Sequence, residues 1–127
     1  MPEKHLFEYA LIRVVPRVER EEFVNVGVVV CCKRLNLLLC RIVLPEVKVL
    51  ALDPEADLEV ISGYLDSFEK ICRGESGKNP IALQDAASRF RWLTANRSSM
   101  LQTSRPHGGL SEDLQQTLDC LFEAYVA

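Results

Sequence analysis

The 127-residue chain has only two histidines, His5 and His107, one tryptophan, and an aromatic fraction of 7%. Its five cysteines, at positions 31, 32, 40, 72 and 120, are odd in number and include no C-x-x-C pair. A disulfide framework needs even counts and an oxidising setting, and a structural zinc site shows closely spaced ligand pairs. Neither pattern is present, so the cysteines are expected to be buried, inert and reduced. No metal and no other cofactor is assigned. No run approaches the roughly 18 consecutive apolar residues of a membrane span. The start, MPEKHLFEYA, lacks the basic flank and apolar core of a secretory signal. A cytoplasmic protein without membrane attachment is the expectation. Repeats, linkers and low-complexity tracts are also missing, so residues 1–127 are read as a single domain.

What is present is an ordinary globular composition, 48% hydrophobic and 26% charged. The net charge of −3 and pI near 5.4 argue against nucleic acid as a direct ligand, which calls for a concentrated basic surface. Arginine nonetheless outnumbers lysine ten to five. Arginine is the residue of bidentate and interface contacts, a bias toward recognition.

Residues 5–15, HLFEYALIRVV, read as a strand apolar on both faces and ended by Pro16. One helical turn fits the connection PRVEREEF. Phe23 to Cys32 reads as a second strand, with Val24, Val26, Val28, Val30 and Cys32 on one face and Asn25, Gly27, Val29 and Cys31 on the other. Gly27 marks a bulge or a close backbone approach. Lys33 to Asn36 is a hairpin turn with Asn36 left-handed, and Leu37 to Leu44 a third strand. Val47 to Leu52 is a turn of helix or a loop.

Asp53-Pro54 signals a helix start, with Leu58, Ile61, Leu65, Phe68 and Cys72 as the buried stripe and Gly74 as the stop. Asn79-Pro80 opens a second helix with a stripe of Ile81, Leu83, Ala87, Phe90 and Leu93 or Thr94, ended by Asn96. Ser98 to Thr103 is a short fourth strand and Arg105 to Gly109 a loop. Ser111 caps a last helix, whose stripe is Leu114, Leu118, Leu121, Phe122 and Tyr125. The predicted fold is α+β: an antiparallel sheet of three to four strands with three helices mostly packed on one face. Sheet faces this apolar predict that the second is hidden by a homodimer or a protein partner.

Few motifs carry chemistry. Gly74-Glu75-Ser76-Gly77-Lys78 has two residues between its glycines where a phosphate-binding loop needs four, so it reads as a surface turn. With neither histidine does a nucleophile, base and orienter come together, so no catalytic residue is assigned. The acidic pairs Glu21-Glu22 and Glu112-Asp113 read as a solvated cluster and a helix-dipole complement. Gly108-Gly109 ahead of a helix at Ser111 offers an anion site, with Arg105 and His107 adding charge. Arg13 interrupts an apolar face and needs an acceptor, either an internal carboxylate such as Glu8 or Glu22 or a ligand anion. The internal ion pair, beside a bulge, is the favoured reading. The other is a recognition pocket around Arg13, Asn25 and Arg97, with Arg17 and Arg20 as solvent-facing supporters.

Y-A-L-I-R-V-V-P-R-V-E-R-E-E-F-V-N-V-G-V at 9–28, R-F-R-W-L-T-A-N-R-S-S at 89–99, G-L-S-E-D at 109–113 and L-D-C-L-F at 118–122 resemble the bacterial domain-of-unknown-function family 3037. That family has no assigned reaction, so no catalytic residue carries over. The resemblance implies a small cytoplasmic bacterial protein with a kinase-like companion of the HipA type as partner. The expected function is an accessory or interaction domain, not an enzyme, that binds a protein partner or self-associates. The alternative is a small-ligand or phosphoester enzyme with an arginine-lined pocket.

Overall fold

The computed structural model describes residues 3–75, 77, 79–95 and 99–127. Among these residues it is an α+β fold with five antiparallel strands and four α-helices. The organising strand is β1 (His5–Val14), which pairs along one edge with β2 (Val24–Cys32). Strand β3 (Leu37–Ile42) continues the sheet beyond β2. Along its other edge β1 pairs with two short strands, β4 (Leu101–Thr103) and β5 (His107–Ser111). Between them Ser104 holds the register: its N–H donates to the Leu11 carbonyl and its hydroxyl accepts from the Leu11 N–H at 2.8 Å. Pro106 follows, and a residue without a donor cannot continue the ladder. The segment expected to be a loop is thus largely edge strand. Gly109 allows it, because a Cβ there would lie 2.8 Å from the Phe7 ring.

Helices cover both faces. On one side α1 (Glu46–Leu52), α2 (Leu58–Arg73) and α3 (Ala86–Leu93) close over Ala10, Ile12, Val14, Val26, Val29 and Cys31. On the other, α4 (Leu114–Tyr125) buries Leu114, Leu118 and Phe122 against Phe7, Val28, Val30 and Cys32. The expected three helices, mostly on one face, become four on two faces. A second copy is not needed to hide the second face, because the chain's own C-terminal helix lies there. No described helix is long and apolar enough to cross a membrane.

Local sequence signals account for most boundaries. A single 3-10 turn, Val18–Arg20, follows Pro16. Asn36 is left-handed at φ 49°, and its side chain accepts from the Ala86 N–H, tying the β2–β3 turn to α3. Gly74 ends α2 at φ 71°, its N–H donating to the Ile71 carbonyl, and Arg89 donates to the Ile71 and Cys72 carbonyls in the same last turn. Three start signals fall elsewhere than expected. Asp53 terminates α1 and folds back on the Glu55 N–H, so Asp57 caps α2 through the Val60 N–H. Asn79 caps only a 3-10 turn, Pro80–Leu83, because Asp85 captures the Ser88 N–H and starts α3 afresh. That leaves Leu83 exposed and puts Ala86, not Ala87, in the core. Asp113, not Ser111, caps α4 by accepting from the Gln116 N–H. The expected helix end at Asn96 lies outside the described residues; α3 stops at Leu93.

The bulge falls at Val26. Register runs from Ile12↔Gly27 directly to Arg13↔Asn25, so two residues of β2 face one step of β1. Alternation is reset there, as a bulge requires. Val24 and Val26 join the α2–α3 core while Val28, Val30 and Cys32 point to α4. The single five-residue valine face expected from strict alternation is therefore split between two cores. Gly27 supplies the close approach: a Cβ would sit 2.6 Å from the Arg41 carbonyl oxygen.

Candidate functional site

Beyond the bulge, Arg13 and Asn25 stand opposite one another on the face that carries α4. Gly27, expected to share a face with Asn25, is turned toward Ile12 and Ile42 in the other core. The Asn25 amide nitrogen donates to the Tyr125 carbonyl at 3.3 Å, holding the last turn of α4 on the sheet. Among the described residues its buried oxygen has no hydrogen-bond partner, and neither does the buried Arg13 Nε. The Arg13 guanidinium lies over the Phe23 ring, 4.1 Å from its centroid, a cation–π contact with a half-exposed side chain. Gln102 flanks Arg13 from β4.

Burial lowers the Arg13 pKa, yet an arginine stays charged at neutral pH. No described carboxylate pairs with it. Glu22 is engaged by Arg20 at 2.6 Å, and Glu8 points to the opposite face of β1. The favoured internal ion pair is therefore not formed among the described residues. Arg17, Arg34, Arg41 and Arg73, by contrast, each meet a carboxylate: Asp53, Glu3, Asp119 and Glu69 respectively. Arg17 and Arg20 thus belong to other ion pairs, and Arg97 lies outside the described residues. Next to this corner Tyr9 sits 5.5 Å from the His107 ring, centroid to centroid. Burial first, then the nearby Tyr125 hydroxyl, raise the Tyr9 pKa.

The second group of expected residues does not form the anticipated geometry. Gly108 and Gly109 are strand residues paired with Glu8 and Phe7. The positive end of α4 is already met by the Asp113 carboxylate. The Ser111 hydroxyl is spent on the Asp113 N–H and on Thr117, and Arg105 and His107 are exposed on the edge.

Phe23 and Tyr125 complete the Arg13 corner and were not picked out by sequence. Phe23 reads as a strand's first residue and Tyr125 as the end of a buried stripe, yet Tyr125 is half exposed. A second feature was also missed. Between α2, α3 and β4 lies a groove of about 300 Å³ lined by Tyr64, Ser67, Phe68, Ile71, Trp92, Leu93, Ser99 and Leu101. It joins residues far apart in sequence, and the only local signal is Tyr64 and Ser67 sitting off the α2 stripe.

The cysteines divide. Cys31, Cys32 and Cys72 are buried, Cys40 is half-buried, and Cys120 is exposed, against the expectation that all five are buried. No group of three or more metal-ligating side chains occurs among the described residues. No curated protein and no solved structure matches the chain. Over residues 9–126 it matches the model of the family described as protein of unknown function DUF3037, and the chain belongs to that family.

Proposed function

We propose that the protein is a non-enzymatic binding domain whose Arg13 corner engages a protein partner through a carboxylate. The carrying observation is the half-buried Arg13 guanidinium, held against Phe23 and opposite Asn25, without a described carboxylate to satisfy it. A desolvated cation costs free energy unless it is paired. Keeping one at the rim of a sheet makes physical sense when an outside acceptor completes it. Phe23 and Tyr125 add half-exposed ring area, the kind of anchor that protein interfaces use. Self-association is the variant in which a second copy supplies the carboxylate.

A guanidinium binds phosphate as well as carboxylate, so the same observation supports a second reading, a small-ligand or phosphoester enzyme. One experiment separates them. Binding of a fluorescent Asp/Glu-rich peptide is measured by anisotropy, with its Asn/Gln counterpart as control and inorganic phosphate as competitor. The partner reading expects Arg13→Gln to weaken the acidic peptide at least tenfold, while exposed Arg34→Gln leaves it unchanged. Equal binding by wild type and Arg13→Gln would sink it. Arg13-dependent thermal stabilisation by phosphate, with no peptide binding, would transfer the case to the second reading. Arg13→Met is expected to alter stability by less than about 1 kcal/mol, since a partly exposed cation–π contact is worth about 0.5–1 kcal/mol.

A further inference from the structure

We infer that the outer edge of β5 is a self-association surface, along which two copies of this chain pair antiparallel and continue the sheet across a two-fold axis. Backbone direction comes first. Leu11 and Val15 turn their N–H groups away from β2, donating to the Ser104 hydroxyl and the Met100 carbonyl. By the two-residue alternation of an antiparallel ladder, Phe7 and Tyr9 face the same way, so their partners Gly109 and His107 carry the bonds to β1. Gly108 and Leu110 then point their N–H and C=O groups outward, and β5 pairs with β1 alone among the described strands. An edge of this kind is a template for another strand. At the opposite edge, by contrast, α2, α3 and α4 pack on β3.

Side chains favour the same contact. Leu6 and Leu110 lie opposite each other on β1 and β5 and are 71% and 66% exposed. Gly108 shares their face of the sheet, and its own fold does not ask for a glycine. A Cβ there would meet only the Phe7 carbonyl oxygen, at an ordinary 3.6 Å, and the backbone is not left-handed. Glycine within a strand costs stability and marks a place where another chain comes close. Two-fold pairing centred on Gly109 sets Leu110 of one copy against Gly108 of the other. The missing side chain makes room, and Leu6 and Leu110 of both copies join in one apolar patch.

Charge selects the occupant. Arg105 and His107 stand at the start of β5, Glu112 and Asp113 just past its end, and all four are exposed. Antiparallel pairing with a second copy lays each basic end on the other's acidic end, with Arg105 opposite Asp113 twice over. Opposite charges placed across strands are favourable, whereas a parallel pairing would set like against like. Arg13 pairs with β4 rather than β5, so this surface is independent of the Arg13 corner.

Sedimentation velocity of the full chain over a concentration series is expected to show a reversible monomer–dimer equilibrium. Leu110→Lys and Arg105→Glu, both at exposed positions, should each weaken it at least tenfold at unchanged monomer melting temperature. Leu83→Lys, on the exposed Pro80–Leu83 turn, and Arg13→Gln should leave it unchanged. Amide exchange followed by NMR reads the pairing itself. The Gly108 and Leu110 N–H groups should be protected in the dimer and open on dilution, while Gly109 stays protected in both states. A chain monomeric at every concentration would overturn the proposal and leave the edge to a foreign extended segment. So would a dimer untouched by both edge variants, or one whose Gly108 and Leu110 amides exchange freely. Loss of the dimer in Arg13→Gln alone would also overturn it, by moving self-association to the Arg13 corner.

Discussion

Arg13 and Asn25 are cross-strand neighbours because β2 gains one residue at Val26. Without that slip Arg13 would face Val26 and Asn25 would turn to the α2–α3 core. One extra residue thus sends a polar pair to the rim of α4 and two valines, Val24 and Val26, to the opposite core. The bulge is where the fold and the candidate site meet, and Gly27 beside it makes the adjoining β2–β3 packing sterically feasible.

Substitution at Gly27 tests that packing. Gly27→Ala places a methyl 2.6 Å from a backbone carbonyl that cannot swing away, and overpacking of this kind costs about 1–3 kcal/mol. Gly63→Ala, in α2 with nothing within 4 Å of the added carbon, should instead stabilise by about 0.5–1 kcal/mol through helix propensity. Urea denaturation of both variants reads the contrast. Equal effects would show that backbone proximity is not what requires glycine at position 27.

The α4 layer should behave as core. Leu118 is fully buried against the β1–β2 face, so Leu118→Ala is expected to cost about 2–5 kcal/mol. Tyr125→Ala, half exposed at the end of the same helix, should cost clearly less. A loss below about 1 kcal/mol for Leu118→Ala, measured by chemical denaturation, would mean that α4 is not docked on the sheet.

Acid should expose the α3 cap. The Ser88 hydroxyl first, then the Ser88 N–H, favour the ionised Asp85 carboxylate and lower its pKa. A lowered folded-state pKa gives stability that is fully present above the unfolded aspartate value of about 3.9. It is lost as pH falls through the lower folded value. Asp85→Asn keeps a capping oxygen but removes the titration. Melting temperatures of wild type and Asp85→Asn should therefore converge as pH drops from 6 to 2. A constant gap between the two would contradict the assignment.

Thiol reactivity should follow exposure. Burial, first of all, pushes the Cys31 thiol up to about 11, and contact with Cys40 followed by burial raises Cys72. Only thiolates react, so both should be inert in the native protein at pH 8, while exposed Cys120 is labelled first. Maleimide labelling read by mass spectrometry should show one fast addition natively and five after denaturation. Rapid native labelling of Cys31 or Cys72 would show that the cores open locally.

Much of this fold is local. Pro16 ending a strand, Asn36 turning left-handed, Gly74 stopping a helix and the α2 stripe all follow from interactions within a few residues, and they can be read directly from the chain. Boundaries failed where two local signals compete. Asp53 and Asp57, Ser111 and Asp113, and Asn79 and Asp85 are each plausible caps, and packing selects between them. The bulge residue, the side of the sheet taken by α4, the lack of a carboxylate at Arg13 among the described residues and the groove between α2, α3 and β4 depend on contacts among distant segments. Arg13 and Asn25 stood out in sequence because polar residues interrupt an apolar pattern. Phe23, Tyr125 and the groove did not, because apolar side chains look alike until tertiary packing leaves some of them exposed.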